Sequence, residues 1–329
     1  MDLFLGVDGG GSKTLAIVVD ESGRSLGVGL GGPGNFQGPG VEKARLAVQD
    51  SIEQALKQAG AELGNVRAAY FGMAGADRPA DFKIVRDLIR PLMPASTRWG
   101  VENDSTIGIW AGTGDGIGVG VICGTGTNCL GFNEKGERVQ VGGMGGLFGD
   151  YAGGSHIGYL AVARAMRGYE GRGEPTALYD TLCAHYGLTE LIDLVEWQYE
   201  GKSMGLSGLV PLVFEVAEAG DKVAQNILIE VGRDMGITAR AALRKLFADD
   251  DPVPIVLMGS VFQNPTYPLM YNTFVETVVE THPNVRPSIL HCEPVFGAVY
   301  GALSPLGIDV CPKFQETLAR TFPGRPEAK

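Results

Sequence analysis

Five short segments carry residue types that could handle phosphate or a hydroxyl group. The first is Asp8-Gly9-Gly10-Gly11-Ser12-Lys13-Thr14. Glycines lack a Cβ, so their backbone N–H groups can close on a phosphate, and Ser12 adds a hydroxyl donor. The run falls short of a Walker A loop, because Ser12 separates Gly11 from Lys13 and a β-prone run follows where a helix is required. A hairpin turn that merely needs left-handed glycines is the competing reading. The second segment is Gly124-Thr125-Gly126-Thr127-Asn128, weak evidence alone. Paired with the first it says more, since two Gly/hydroxyl hairpins could grip one polyphosphate.

The third segment, Asn103-Asp104-Ser105-Thr106, stands at the end of a strand and the start of a helix. Asp104 there is either an N-cap or a carboxylate placed to take a proton from a substrate hydroxyl. The fourth is the run Gly142-Gly143-Met144-Gly145-Gly146-Leu147-Phe148-Gly149-Asp150. Its glycine density implies backbone close to a ligand or a neighbouring chain, with Asp150 a candidate for sugar hydroxyls or a turn cap. The fifth, Met258-Gly259-Ser260-Val261-Phe262-Gln263, is a Gly-Ser turn straight after an apolar strand. It could pack on a nucleotide base or simply lead a strand into a helix.

These segments need a frame, and the periodicity supplies one. Residues 3–8 and 14–20 are apolar runs joined as a hairpin, a turn at 21–24 follows, and a third run ends near Gly31. Residues 41–59 place Ala44, Val48, Ile52, Ala55 and Leu56 at helical spacing, and Gly60 stops them. A strand at 66–73, a helix at 81–90 and a strand at 98–101 complete a β-β-β-α-β-α-β pattern. The opening then restarts: a strand at 116–122, a Gly-rich loop, a second strand, a polar turn at 133–136 and a further strand. Such a repeat predicts a duplicated α/β domain with a cleft between the copies. Domains of 1–113 and 114–304 are expected, the second with a helical insertion over 156–247, a strand at 253–258 and helices at 266–281 and 294–303. The Pro-rich tail from 305 to 329 is expected to be irregular and could pack back on the first domain.

Composition narrows the function. Glycine fills 50 of 329 positions, about double ordinary usage, without a collagen period and with 44% hydrophobic residues, so collagen and disorder are excluded. A formal net charge of −11 disfavours nucleic acid and anionic membrane surfaces as partners. The five Cys form no CxxC pair, which argues against a zinc site or disulfide framework. Apolar runs are broken before 18 residues and an acid stands at position 2, so a cytoplasmic protein is expected.

Together the segments resemble the N-acetylglucosamine kinase and BadF/BadG-type ATPase family, of the acetate and sugar kinase, Hsc70 and actin superfamily. The likeness runs in order through Asp8–Thr14, Asn103-Asp104, Gly124–Asn128, Gly142–Asp150 and Gly259-Ser260-Val261. It implies two ribonuclease H-like (actin-like ATPase) α/β domains, ATP and Mg²⁺ as cofactors, and phosphorylation of an amino sugar of the N-acetylglucosamine or glucosamine type on its 6-hydroxyl. By position, Gly10, Gly11, Ser12, Lys13, Thr14, Gly124, Thr125, Gly126 and Thr127 would serve the ATP phosphates. Gly208, Gly259, Ser260 and Gln263 would line the adenosine site. Asn35, Gly143, Met144, Gly145 and Asp150 would bind the sugar, Asp104 would be the general base, and Asp8 would hold Mg²⁺ through water. The chain departs from the usual pattern at Met144, where Trp is common, and at Tyr151, where Glu is. A homodimer is the ordinary expectation. The alternative within the superfamily is an ATPase that drives a partner enzyme through an iron–sulfur cluster shared between subunits. Cys123 and Cys129 flank the second loop and read better as small core residues.

Overall fold

The computed structural model describes residues 2–263 and 267–324. Thr266, where the expected helix 266–281 would begin, and residues 325–329 of the tail lie outside them. The chain divides into two units, residues 1–118 with 290–329, and residues 119–289.

The first unit opens with β1 (Leu3–Gly9), β2 (Thr14–Asp20) and β3 (Ser25–Gly31), followed by α1 (Val41–Ala59), β4 (Val66–Met73), α2 (Pro79–Ile89), β5 (Arg98–Glu102) and α3 (Asp104–Thr113). The sheet order is β3-β2-β1-β4-β5, antiparallel through the hairpins and parallel from β1 to β5. β1 and β2 are apolar and buried almost throughout, as strands covered on both faces must be. α1 buries Ala44, Val48, Ile52, Ala55 and Leu56, and the left-handed Gly60 ends it. It lies directly on β3, where a Cβ at Gly27, Gly29 or Gly31 would collide with the Ala55, Ser51 or Ala47 carbonyl oxygen. Part of the glycine excess therefore serves helix-on-sheet packing rather than turns or ligand loops.

The second unit holds β6 (Gly118–Cys123), β7 (Thr127–Phe132), β8 (Arg138–Val141), α4 (Gly154–Tyr169), α5 (Leu178–Tyr186), α6 (Leu194–Tyr199), α7 (Val210–Glu218), α8 (Lys222–Leu246), β9 (Pro254–Met258), α9 (Leu269–Val279) and β10 (Arg286–Ile289). Its sheet order, β10-β9-β6-β7-β8, repeats that of the first unit. The duplication extends to turn chemistry. Asp20 Oδ1 accepts from the N–H groups of Ser22 and Arg24, and Asn133 Oδ1 accepts from those of Lys135 and Glu137. Each turn then uses a left-handed glycine, Gly23 or Gly136.

The chain returns to the first unit earlier than expected. The sequence pattern places α10 (Pro294–Leu303) in the second domain, but it packs on β1 and α3, and α11 (Pro312–Thr321) follows it. Small residues make the approach possible: a Cβ at Gly297 would collide with the Ile107 carbonyl oxygen. The tail is likewise not irregular, because Phe314 and Leu318, one turn apart in α11, bury into the same core. The four-residue β10, with Pro287 inside it, escaped the sequence reading.

Candidate active site

In the first unit the candidate residues gather at one edge of the sheet. Gly10 closes the hairpin by donating its N–H to the Lys13 carbonyl, 2.9 Å. The Gly10 carbonyl in turn accepts from the N–H groups of Gly34 (3.0 Å) and Asn35 (3.2 Å), which ties the Asn35 segment to the loop. Ala74, just beyond β4, donates to the Gly9 carbonyl, 2.9 Å. A Cβ at Gly75 would lie 2.6 Å from Asn35 Oδ1, so the segment after β4 touches the Asn35 side chain closely. Asp8, half-buried on β1, sits between its partners Leu15 and Gly72.

The glycines of this loop are not there for conformation. Gly9, Gly10 and Gly11 all lie outside the left-handed region, and around a Cβ at Gly11 there is open space. That removes the competing reading of a turn that needs positive φ. Gly11, Ser12 and Lys13 are exposed, whereas Thr14 is buried and donates its hydroxyl to the Gly32 carbonyl, 2.8 Å. Thr14, expected at the phosphates, instead holds the loop to its neighbour.

Asp104 begins α3, and the cap is its neighbour. Asn103 Oδ1 accepts from the Ser105 N–H, 2.9 Å, so the N-cap reading of Asp104 gives way to Asn103. The Asp104 carboxyl is pushed up to about 6, first by burial, while the Ser105 N–H works against the shift and the Asp77 charge adds to it. Asp77 is hydrogen-bonded through its Oδ1 to Asn103 Nδ2, 3.0 Å.

In the second unit the loop 124–128 has the same hairpin place and a different setting. Gly124 donates to the Gly126 carbonyl, 2.9 Å, and neither glycine has a left-handed φ or a neighbour where its Cβ would stand. Thr125 is exposed, while Thr127, like Thr14, spends its hydroxyl inside the hairpin, donating to Ile122, 2.9 Å. The N-terminus of α4 rests on this loop: Gly154 donates to the Gly124 carbonyl (2.7 Å) and Ser155 to that of Thr125 (2.9 Å). The Gly259 turn rests on it too. Gly259 is left-handed, a Cβ there would collide with the Cys123 carbonyl oxygen, and Val261 donates to that oxygen, 3.1 Å. Ser260 and Gln263 of this turn are exposed, and so is Gly208, in the turn Leu206–Leu209 that packs on α4 at Gly158. The structure thus gathers the expected phosphate and adenosine residues of this unit around the start of α4.

The Gly142–Asp150 run is folded on its own acid. Asp150 Oδ2 accepts from the N–H groups of Met144 (2.6 Å) and Gly145 (2.5 Å). Gly142, Gly143, Gly145 and Gly149 are all left-handed, so here glycine is required by conformation. Gly143 lies against the Asn128 and Gln140 side chains, which links this run to the end of the loop 124–128. Met144 and Tyr151 both expose about half of their surface.

Residues 5–303 match the BadF/BadG/BcrA/BcrD ATPase family. The chain belongs to this family. Among curated relatives of this BadF/BadG-type chain is the N-acetyl-D-glucosamine kinase of Dictyostelium discoideum, 29% identical over 92% of this chain and 98% of that one. Another is the N-acetylmuramic acid/N-acetylglucosamine kinase of Clostridium acetobutylicum, 30% identical over 92% of this chain and 99% of that one. A crystal structure from Chromobacterium violaceum shares the two-sheet α/β fold with a TM-score of 0.70 at 22% identity, over 91% of this chain and 98% of that one.

Two features of the site escaped the sequence reading. Asp77 follows Gly75-Ala76 just past β4, an acid at the carboxyl edge of a strand, which is the signal that singled out Asp104. The start of α4 is marked by Gly153-Gly154-Ser155, and a Cβ at Gly153 would lie 2.7 Å from the Gly126 carbonyl carbon. A Gly-Gly-Ser run opening a helix is a recognisable anion-site signal.

Proposed function

We propose that this BadF/BadG-type protein is an ATP-dependent kinase that phosphorylates the 6-hydroxyl of an amino sugar of the N-acetylglucosamine or glucosamine type. The names of the two curated relatives support the reaction class. What carries the reading in this chain is the state of Gly11, Gly124 and Gly126. Neither backbone conformation nor packing against the protein requires glycine at these three positions. Close approach of a ligand to the backbone does, and phosphate is the ligand that amide-lined loops take.

The residues present fit ATP and Mg²⁺. Exposed amides at Gly11 and Ser12 with the Lys13 ammonium serve one loop, and Thr125 with the N-terminal dipole of α4 serves the other. Gly208, Gly259, Ser260 and Gln263 are assigned to the nucleoside. Mg²⁺ keeps most of its water and needs one or two carboxylates beside the phosphates, so Asp8 suffices. When bound, ATP supplies the γ-phosphoryl group and Mg²⁺ neutralises its charge.

Asp104 then has one task. At neutral pH its carboxyl is mostly ionised, yet it is far more basic than an ordinary aspartate. It accepts the proton of the acceptor hydroxyl as the oxygen attacks, a role typically worth about 10²–10⁴-fold. Asn35, Gly143, Met144, Gly145 and Asp150 are assigned to orienting the sugar, with the Asp150 carboxylate keeping the Met144–Gly145 backbone in place. The partner-driving alternative finds little support, because Cys123 and Cys129 are buried in β6 and β7 with thiols pushed up to about 12 by burial. Thiolate ligation of an iron–sulfur cluster needs the opposite setting.

The test is ADP release with Mg·ATP against N-acetylglucosamine, glucosamine, N-acetylmuramic acid, N-acetylmannosamine, glucose and no sugar. A response to one amino sugar, with the phosphate located on its 6-position by NMR, is expected. ADP release that is equal with and without every sugar would sink the kinase reading.

A further inference from the structure

We infer that Asp77 is a positioning residue for Asp104, acting through the side chain of Asn103; this rests on the reading of Asp104 as the base. β4 and β5 are parallel neighbours, so the segments that follow them, Gly75–Asp77 and Asn103–Asp104, leave the same edge of one sheet. Asn103 lies between the two acids with 2% of its surface exposed. Both ends of its amide are used: Oδ1 caps α3 at the Ser105 N–H, and Nδ2 donates to Asp77 Oδ1.

A buried amide could sit either way round, and a flip would aim its NH₂ group at the Ser105 N–H and lose the cap. An ionised carboxylate can only accept, so Asp77 admits only the orientation that caps α3. The cap in turn fixes the first helical residue, which is Asp104. Asp77 is itself anchored, because its N–H and that of Arg78 go to the buried Asp81 carboxylate, which is held by the Arg78 guanidinium at 2.9 and 3.0 Å. Arg78 pairs with Asp81 and also attracts Asp77, and Asp77 is the charge from that segment that acts on Asp104. Its effect supports the same assignment, since it raises the basicity of the Asp104 carboxyl.

Asp77→Asn, Asp77→Ala and Asp104→Asn separate the parts through pH profiles of kcat/KM for the sugar, with melting curves as the fold check. Asp77→Asn keeps an acceptor for Asn103 and loses the charge. Its acid limb is expected to move down by at least about half a pH unit, and its plateau to fall a few-fold because a weaker base remains. Asp77→Ala loses the anchor as well, so kcat is expected to fall at least about tenfold with KM for ATP unchanged. An unmoved limb in Asp77→Asn, with kcat of Asp77→Ala within about twofold of wild type, overturns the inference while an inactive Asp104→Asn leaves the base in place. Full turnover in Asp104→Asn overturns the base and the inference together. If Asp77→Ala fails to fold, the limb position in Asp77→Asn still decides.

Discussion

The loop between β1 and β2 and the loop between β6 and β7 hold the same place in two sheets of the same strand order, yet they are held differently. The Asn35 and Ala74 segments bond to the first at Gly10 and Gly9, and its own sequence carries Ser12 and Lys13 outward. The second carries no charge between Gly124 and Asn128, and is packed by the start of α4 and by the Gly259 turn. On the proposed reading, a cation on a flexible stem would do for one loop what a helix dipole and packed backbone would do for the other. The acids Asp8, Asp77 and Asp104 belong to the first unit with Lys13, and Asp150 to the second. On the proposed reading both hairpins hold phosphate, the first half adding proton handling and the second the nucleoside.

Asp104→Asn tests the first half and carries the largest expected effect. Turnover should fall at least about 100-fold, with ATP affinity by calorimetry within about threefold of wild type. In the wild type, kcat/KM should rise about tenfold per pH unit toward a limb near the Asp104 value of about 6. The same raised value makes a stability prediction. A carboxyl more easily protonated in the folded state than in the unfolded one helps folding below its unfolded value, and that help is lost as pH rises through about 6. Asp104→Asn should therefore melt higher than wild type above pH 6, with the gap closing toward pH 4. A melting gap that widens toward acid would show that burial does not burden the carboxylate.

Gly259→Ala tests the second half and should act through architecture. A side chain at a left-handed position costs about 1–3 kcal/mol, and here the Cβ also meets the Cys123 carbonyl. The melting temperature should drop by several degrees, and KM for ATP should rise at least about tenfold as the turn lifts off the loop. A variant with wild-type melting and KM would mean that this turn does not brace the second half.

Much of this division was legible in the sequence. The repeated strand, Gly-rich loop, strand and polar turn gave both sheets away, because continuous apolar runs between glycines have few other uses. What stayed hidden was tertiary. α10 is apolar on every side, so its pattern says only that it is buried, and Gly297 against Ile107 decides on which sheet. α11 is announced only by Phe314 and Leu318 among prolines and charges. Asp104 stood out by its place after a strand, but that Asn103 takes the cap, and Asp77 holds Asn103, depends on two strands being neighbours. The same limit applies to the loops. From sequence a glycine can mean positive φ, close packing or a ligand, and only the folded structure separates Gly143 and Gly259 from Gly11 and Gly126.

Gly11→Ala and Gly126→Ala bring that separation to the bench with the smallest effects. Both positions have ordinary φ and open space for a Cβ, so melting temperatures should stay within about 1 °C of wild type. The added methyl group would instead stand where phosphate oxygens approach the backbone, weakening ATP about 3–10-fold in each variant, while KM for the sugar stays put. Since the two loops differ in how they are braced and agree in this open space, equal losses are expected from both. A loss in one loop alone would assign the phosphates to that half. Unchanged ATP affinity in both variants would mean that the open glycines serve neither.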